Sequence, residues 1–396
     1  MTLTVPFDAN IDRRRTGSFK WSLYPEDVLP AWVADMDFQA PEPVLRALRE
    51  AVDHGIFGYH FDSPPLRDAL VRRMAERYGW PIGPRDIVFV PNLVSALNFT
   101  CLAYAELGDE VLMTTPVYPP FLNAPTNGSR ITRTVDLAAR TDADGRMHYE
   151  IDFDALEAAI TPRSRIFMLC SPHNPVGRIW TRSELERLAE FCLRHKLLIG
   201  ADEIHCDVLL DDQTHIPIAT LGPEVAAQTL TMMAPSKTFN MPGLGLGFVI
   251  ATNPEVRQRF EKATAFYMSH PGPMSFAGAL AAYSPESQPW LDNLLVYLRE
   301  NRDTLASAIQ ELFPKVRYTV PEATFLAWLD WRDVPLPAAS PYQFFLEQAR
   351  VAFNDGAAFG EAGRGFVRVN YGTSRGRLLE IIERMRRAVE AAGVSP

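Results

Sequence analysis

Hydrophobic positions along this chain fall into two alternating rhythms. Short, dense apolar runs bounded by turn residues predict strands at 86–90, 110–114, 165–170, 196–201, 229–233 and 247–251. Between them, apolar positions three and four apart predict helices over 41–55, 66–78, 95–107 and 181–195. The first has Pro41 at its start and places Val44, Leu45, Leu48 and Val52 on one face. Strands buried on both faces, with helices between them, imply an α/β fold: a mostly parallel sheet sandwiched by helices. Past Pro254 the rhythm becomes helical, with one long helix over 290–312. Short strands at 317–320, 325–329 and 365–370 and a last helix over 375–391 predict a smaller α+β domain. The stretch before Pro41 shows no clear period and is rich in aromatics, among them Trp21, Trp32 and Phe38. The expected division is a large domain over 50–280 and a small domain from 1–49 plus 281–396.

A chain of 396 residues, 47% hydrophobic, is long enough for both domains. Its net charge of -9, with no basic run beyond Arg13-Arg14-Arg15, argues against nucleic-acid binding, and that triplet reads as a solvated segment. No apolar run approaches the roughly 20 residues that span a bilayer. The first residues lack an apolar core behind a basic start. Cys101, Cys170, Cys192 and Cys206 each sit in an apolar stretch without CxxC spacing and read as buried free thiols. A cytoplasmic enzyme acting on a small molecule, with no nucleic-acid or membrane partner, fits these features.

Three segments carry the chemistry. Ser236-Lys237-Thr238-Phe239-Asn240 follows the apolar run at 229–233, which would deliver the lysine to the C-terminal end of a strand, where open α/β sheets bind ligands. A lysine there can serve as a Schiff-base nucleophile and proton carrier once its pKa is lowered. About 35 residues upstream, Asp202 closes another apolar run and offers a carboxylate for a pyridinium nitrogen. About 30 residues further upstream, Asn174 sits in the turn Ser171-Pro-His-Asn-Pro-Val-Gly177 with an amide for a ring oxygen. Each alone reads as a surface lysine, a loop acid or a turn residue. Together an amine, an acid and an amide are what a pyridoxal phosphate (PLP) enzyme needs. His173 reads as structural, while His205 is placed to reach the same ligand. A metal site on Asp202, His205 and Asp207 finds no further cluster with ligand spacing to complete it. Gly243-Leu-Gly-Leu-Gly247 lacks dinucleotide-binding spacing and precedes a strand, so it reads as room for close backbone approach behind the lysine.

These residues resemble the fold-type I PLP-dependent enzymes of the aspartate aminotransferase superfamily. Within it, the chain looks like the cystathionine β-lyase or C–S lyase (MalY/PatB) branch. The matching strings run from end to end: Lys20-Trp21, Trp32-Val-Ala-Asp-Met-Asp-Phe38, Phe57-Gly-Tyr59, Thr115-Pro-Val-Tyr-Pro-Pro-Phe121, the Asn174 turn, Asp202-Glu-Ile-His205, the Lys237 segment and Gly365-Phe-Val-Arg-Val-Asn370. The resemblance implies PLP as cofactor and no metal. It implies that Lys237 forms the Schiff base and moves the substrate Cα proton, that Asp202 pairs with the ring nitrogen, that Asn174 and His205 address the ring hydroxyl, and that Tyr118 stacks on the ring. The backbone N–H groups of Leu93 and Val94, near the helix start expected at Ser95, would hold the phosphate together with Ser236. Arg368 would grip the substrate carboxylate, with Asn174 and Tyr59 also beside the substrate. Tyr59 would reach the neighbour's phosphate across a homodimer interface.

Some positions depart from the branch pattern. Asn92 stands where the family usually has Gly, a replacement a left-handed backbone tolerates. The segment 269–274 does not match and is a candidate for the mouth of the site. The run Tyr371-Gly-Thr-Ser-Arg375 is one variant of a region where many members carry Cys-Pro. The implied activity is β-elimination from L-cysteine S-conjugates such as L-cystathionine. A class I/II aminotransferase would use the same residues. A third reading is a protein that keeps the fold for partner binding; an intact Lys237, Asp202 and Arg368 set argues against a dead enzyme.

Overall fold

The computed structural model describes residues 7–265 and 267–395. Seven strands form the central sheet: β1 (Ile87–Val90), β2 (Glu110–Thr115), β3 (Ile131–Asp136), β4 (Ser164–Cys170), β5 (Leu198–Asp202), β6 (Thr229–Met233) and β7 (Gly247–Ile250). They lie in the order β1-β7-β6-β5-β4-β2-β3. All pairs are parallel except those of β7, which runs antiparallel to both β1 and β6.

Alternate side chains leave the sheet on opposite faces. Val111, Met113, Ile166 and Met168 meet Leu97, Cys101, Phe121 and Phe260 on one side. Leu112, Phe167, Leu169 and Ile199 meet Leu185, Leu188 and Cys192 on the other. The second of these layers rests on the helix Arg182–Arg194, whose start is fixed by a reciprocal cap between Thr181 and Glu184. All four cysteines are buried and free.

A second, antiparallel sheet contains β8 (Arg317–Tyr318), β9 (Leu326–Asp330), β10 (Asn354–Asp355) and β11 (Phe366–Asn370), in the order β8-β9-β11-β10. It shares a core with the helices Gln288–Leu312 and Arg375–Ala391, and that core also takes in Phe7, Leu29, Met36, Phe38 and Val44 from the start of the chain.

Several expectations are corrected. The helix expected over 95–107 spans Leu93–Tyr104, because Asn92 accepts from the Ser95 N–H at 2.8 Å and caps an earlier start. Asn92 is extended (φ -168), so no left-handed backbone is involved. The strand expected from Lys196 begins at Leu198, since Lys196 has φ 55. Arg13 is not solvated: it pairs with Asp35 and Asp37, each at 2.8 Å. Strand β3, the hairpin of Ala138–Thr141 with Met147–Glu150, and the helices Pro119–Asn127 and Phe153–Ala159 had no predicted counterpart.

Candidate active site

The C-terminal ends of β1, β4, β5 and β6 open onto one cavity. Leu93, Val94, Tyr118, Asn174, Asp202, His205, Ser236 and Lys237 all line it. Strand β6 ends at Met233, and the short turn of helix Pro235–Thr238 presents Lys237. Thr238 anchors that turn by donating to the buried Asp207 carboxylate at 3.1 Å; Asp207 is otherwise engaged with Arg73 at 2.6 Å and Arg77 at 3.0 Å. Lys237 Nζ donates to the Ala34 carbonyl at 2.5 Å. Desolvation of the amine pulls its pKa down to about 8; Asp35 opposes this, Arg368 adds to it and Asp202 opposes it.

Asp202, the last residue of β5, is buried. Burial pushes its pKa up to about 7, against the Ile204 N–H, which donates to it at 3.1 Å, and the Lys237 charge. Such an acid is costly to ionise until a cation meets it. His205 is buried beside it. Burial, then Lys237 and Arg368, hold its pKa at about 3, so the ring is neutral. Burial raises the Tyr118 hydroxyl as well.

Arg368 comes from β11. Its Nη1 donates to Asn174 Oδ1 at 2.9 Å, and its Nη2 to the Trp32 carbonyl at 3.0 Å and Asn354 Oδ1 at 2.6 Å. The guanidinium lies over Phe359, 4.8 Å from the ring centre. Burial pulls its pKa down to about 10, which leaves it charged at neutral pH. His173 is apart from this chemistry: its Nε2 meets the Pro116 carbonyl at 2.8 Å, and burial lowers its pKa to about 4.

Leu93 and Val94, in the lining of the same cavity, open their helix. First-turn N–H groups have no acceptor within the helix, and the helix dipole favours an anion there. Gly247 permits this approach, since a Cβ on it would lie 2.4 Å from Leu93 Cδ1. Gly243 has open space instead, so close approach does not explain it.

The donor set fits pyridoxal phosphate. An anion-seeking helix start, Ser236, a buried acid, an amine and an aromatic side chain line one cavity. Among the described residues, the buried Nδ1 of His205 and Nε of Arg368 have no hydrogen-bond partner, as groups built to meet a ligand would not. Three expected contributors are not in the lining: Arg368 stands behind it, bonded to Asn174, and two others stay outside altogether. Tyr59 is 96% exposed and stacks on Phe61 at 6.3 Å. The segment 269–274 supplies no lining residue; its His270 packs edge-on against Phe61 at 4.7 Å. Sequence reasoning passes over Ala34, whose contribution is a backbone carbonyl that any residue type could supply, and over Cys170, which lines the cavity from the end of β4.

A model of the aminotransferase class I and II family matches residues 33–385. The chain belongs to this family. It is 38% identical to cystathionine beta-lyase PatB of Bacillus subtilis (strain 168), over 97% of this chain and 99% of that protein. The solved structure of OvoB matches with TM-score 0.91 and 39% identity, covering 97% of this chain and 98% of that one. Cystalysin from Treponema denticola, solved with a pyridoxal 5'-phosphate cofactor, also matches with TM-score 0.91, at 28% identity over 97% of this chain and 98% of that one. The class I/II enzyme described here thus has the type I PLP fold, and its family is PLP-dependent.

Proposed function

We propose that this enzyme catalyses PLP-dependent β-elimination of L-cysteine S-conjugates such as L-cystathionine, giving a thiol (homocysteine from cystathionine), pyruvate and ammonia. The observation that carries the reading is the meeting of Lys237, Asp202 and Asn174 in one cavity, with Arg368 bonded to Asn174 behind it. The end-to-end similarity to a cystathionine β-lyase narrows it to elimination.

In this reading the N–H groups of Leu93 and Val94, with Ser236, hold the cofactor phosphate. Asp202 meets the ring nitrogen, Asn174 and His205 the ring oxygen, and Tyr118 the ring face. Bound there, PLP supplies an electron sink that acidifies the substrate Cα–H and lets a thiolate leave from Cβ. Asp202 ionises against the ring nitrogen, the cation its desolvated carboxylate otherwise lacks. Arg368 takes the α-carboxylate in its planar fork. Lys237, neutral above about pH 8, removes the Cα proton.

A homodimer with Tyr59 reaching the neighbour's phosphate belongs to the same proposal. It is supported by an exposed apolar run at Ile56, Phe57, Tyr59 and Phe61. The buried free cysteines support a reducing, cytoplasmic setting. The two sheets support a division into 50–280 and 1–49 plus 281–396, although Trp328, Phe359 and Phe366 pack into the large-sheet core and Val208, Leu210, Phe239 and Met241 into the small-sheet core.

An aminotransferase would use the same side chains, and the matched family carries that name. A product assay on the PLP-loaded protein separates the two. L-cystathionine and S-alkyl-cysteines are supplied with and without a 2-oxo acid. Pyruvate, ammonia and free thiol without any 2-oxo acid are the expected result. New amino acid formed only when a 2-oxo acid is present would replace the lyase with the aminotransferase.

A further inference from the structure

The segment Trp32–Phe38 lends Ala34 to the cavity wall and lies outside both sheets, yet its carbonyls are filled by side chains from the site and its flanks. Trp32 accepts from Arg368 Nη2 at 3.0 Å, Val33 from Asn370 Nδ2 at 2.6 Å and Ala34 from Lys237 Nζ at 2.5 Å. Met36 and Phe38 both accept from Asn240 Nδ2, at 2.8 and 2.6 Å. Asn240 Oδ1 also accepts from the Met36 N–H at 2.9 Å. One carboxamide therefore meets both the N–H and the C=O of Met36, as a residue on a neighbouring strand would. Only Asn and Gln carry a neutral donor and acceptor in such a fork. The Asn240 backbone is left-handed, φ 50, a conformation Asn tolerates better than most residues.

These contacts close a ring. Asn240 stands three residues after Lys237, and Met36 two residues after Ala34. The Asn240–Met36 clamp thereby ties the Ala34 stretch to the lysine turn, alongside Asn370 Nδ2, which donates to the Val33 and Asp35 carbonyls at 2.6 and 2.7 Å on the other side. Beyond the clamp, the segment is pinned by the buried Asp37, which receives Lys20 at 3.1 Å, Arg13 at 2.8 Å and Trp21 Nε1 at 2.9 Å.

We propose that Asn240 is a positioning residue for the Lys237 amine: it splints the 32–38 segment to the lysine turn, and so fixes the place the amine holds off the cofactor and its aim at the substrate Cα. This rests on the reading of Lys237 as the cofactor-bearing, proton-carrying lysine. The charged and titratable groups facing Lys237 are Asp35, Asp202 and Arg368, with His205 and Tyr118 in the same cavity. Asn240 is neutral, so exchanging it for another neutral residue changes geometry and leaves that charge set intact.

The test compares Asn240→Gly, which permits the left-handed turn but removes the amide, with the wild-type protein. Three readouts are taken on PLP-loaded protein: the melting temperature, the pH midpoint of the cofactor absorption band without substrate, and kcat, KM and the Cα-deuterium effect with an S-alkyl-cysteine. The expected result is a midpoint displaced by about half a pH unit or more. The kcat should fall about 10- to 100-fold with KM changed less than about threefold, and the deuterium effect should grow. A lowered melting temperature with the midpoint, the deuterium effect and kcat per folded molecule unchanged would make Asn240 merely structural and overturn the proposal. Should Asn240→Gly fail to fold, Asn240→Gln carries the same readouts, with a neutral amide set one methylene too far out to meet both Met36 groups. If the wild-type band has no pH midpoint and Lys237→Ala leaves it unaltered, the reading of Lys237 falls first and takes the proposal with it.

Discussion

Lys237 and Asp202 share a cavity in which desolvation moves both towards their neutral forms, to about 8 and about 7. The sign of one pH effect follows. Below about pH 8 the Lys237 amine is mostly protonated and is no nucleophile. The rate at which cofactor-free protein captures PLP should therefore rise between about pH 7 and 8.5 and level off above that, as followed by rapid-mixing absorbance. A rate that falls over this range would mean the amine is not the attacking group. Arg368→Lys should cost about 2–4 kcal/mol in kcat/KM, because a point charge replaces a fork in a buried site. An unchanged kcat/KM would move the carboxylate clamp elsewhere. Lys237, Asp202, Asn174 and Arg368 are legible in the sequence because their work depends on side-chain type. Ala34 is not, because it acts through a carbonyl. Asn240 is visible as part of a string, but its partner lies 204 positions away.

At the scale of elements, the part of the cavity proposed to take the phosphate depends on how closely β7 approaches the helix Leu93–Tyr104. Gly247→Ala would drive a methyl group against Leu93 Cδ1, with Val90 Cγ2 at 3.3 Å closing the way out. The expected cost is about 1–3 kcal/mol, read as weaker PLP affinity together with a lower melting temperature. If affinity holds while stability drops, the helix start is not the phosphate site. Helices with one apolar face and strands buried on both faces were readable from their periods. Strand β3 was not, because it lies at the sheet edge with most of its residues partly or fully exposed. The antiparallel direction of β7 was also hidden, since a run buried on both faces looks alike whichever way it points. The start of the Leu93–Tyr104 helix was misplaced because a capping side chain, rather than apolar spacing, decides it.

For the whole molecule, the proposed role of Tyr59 is the point at which one chain would cease to be enough. Light scattering should give a mass about twice the 44.4 kDa of the chain. Tyr59→Phe should weaken PLP binding by about 1 kcal/mol through one lost hydrogen bond; unchanged affinity would remove the cross-subunit contact. Neither the partner nor the elimination chemistry was legible from composition or period, which established an acidic α/β protein and no more. Both came from resemblance carried by a few strings. The sheet order has a further consequence, in time rather than in space. Among the described residues, strand β1 has β7 as its sole partner in the sheet, with Val90 opposite Gly247. During synthesis β1 must therefore wait, unpaired, until the chain beyond Lys237 has been made. The Leu93 side of the cavity takes its packing against Gly247 only when β7 docks. Such distant pairing is slow to form, so this wall of the cavity is completed in the same late event that closes the sheet.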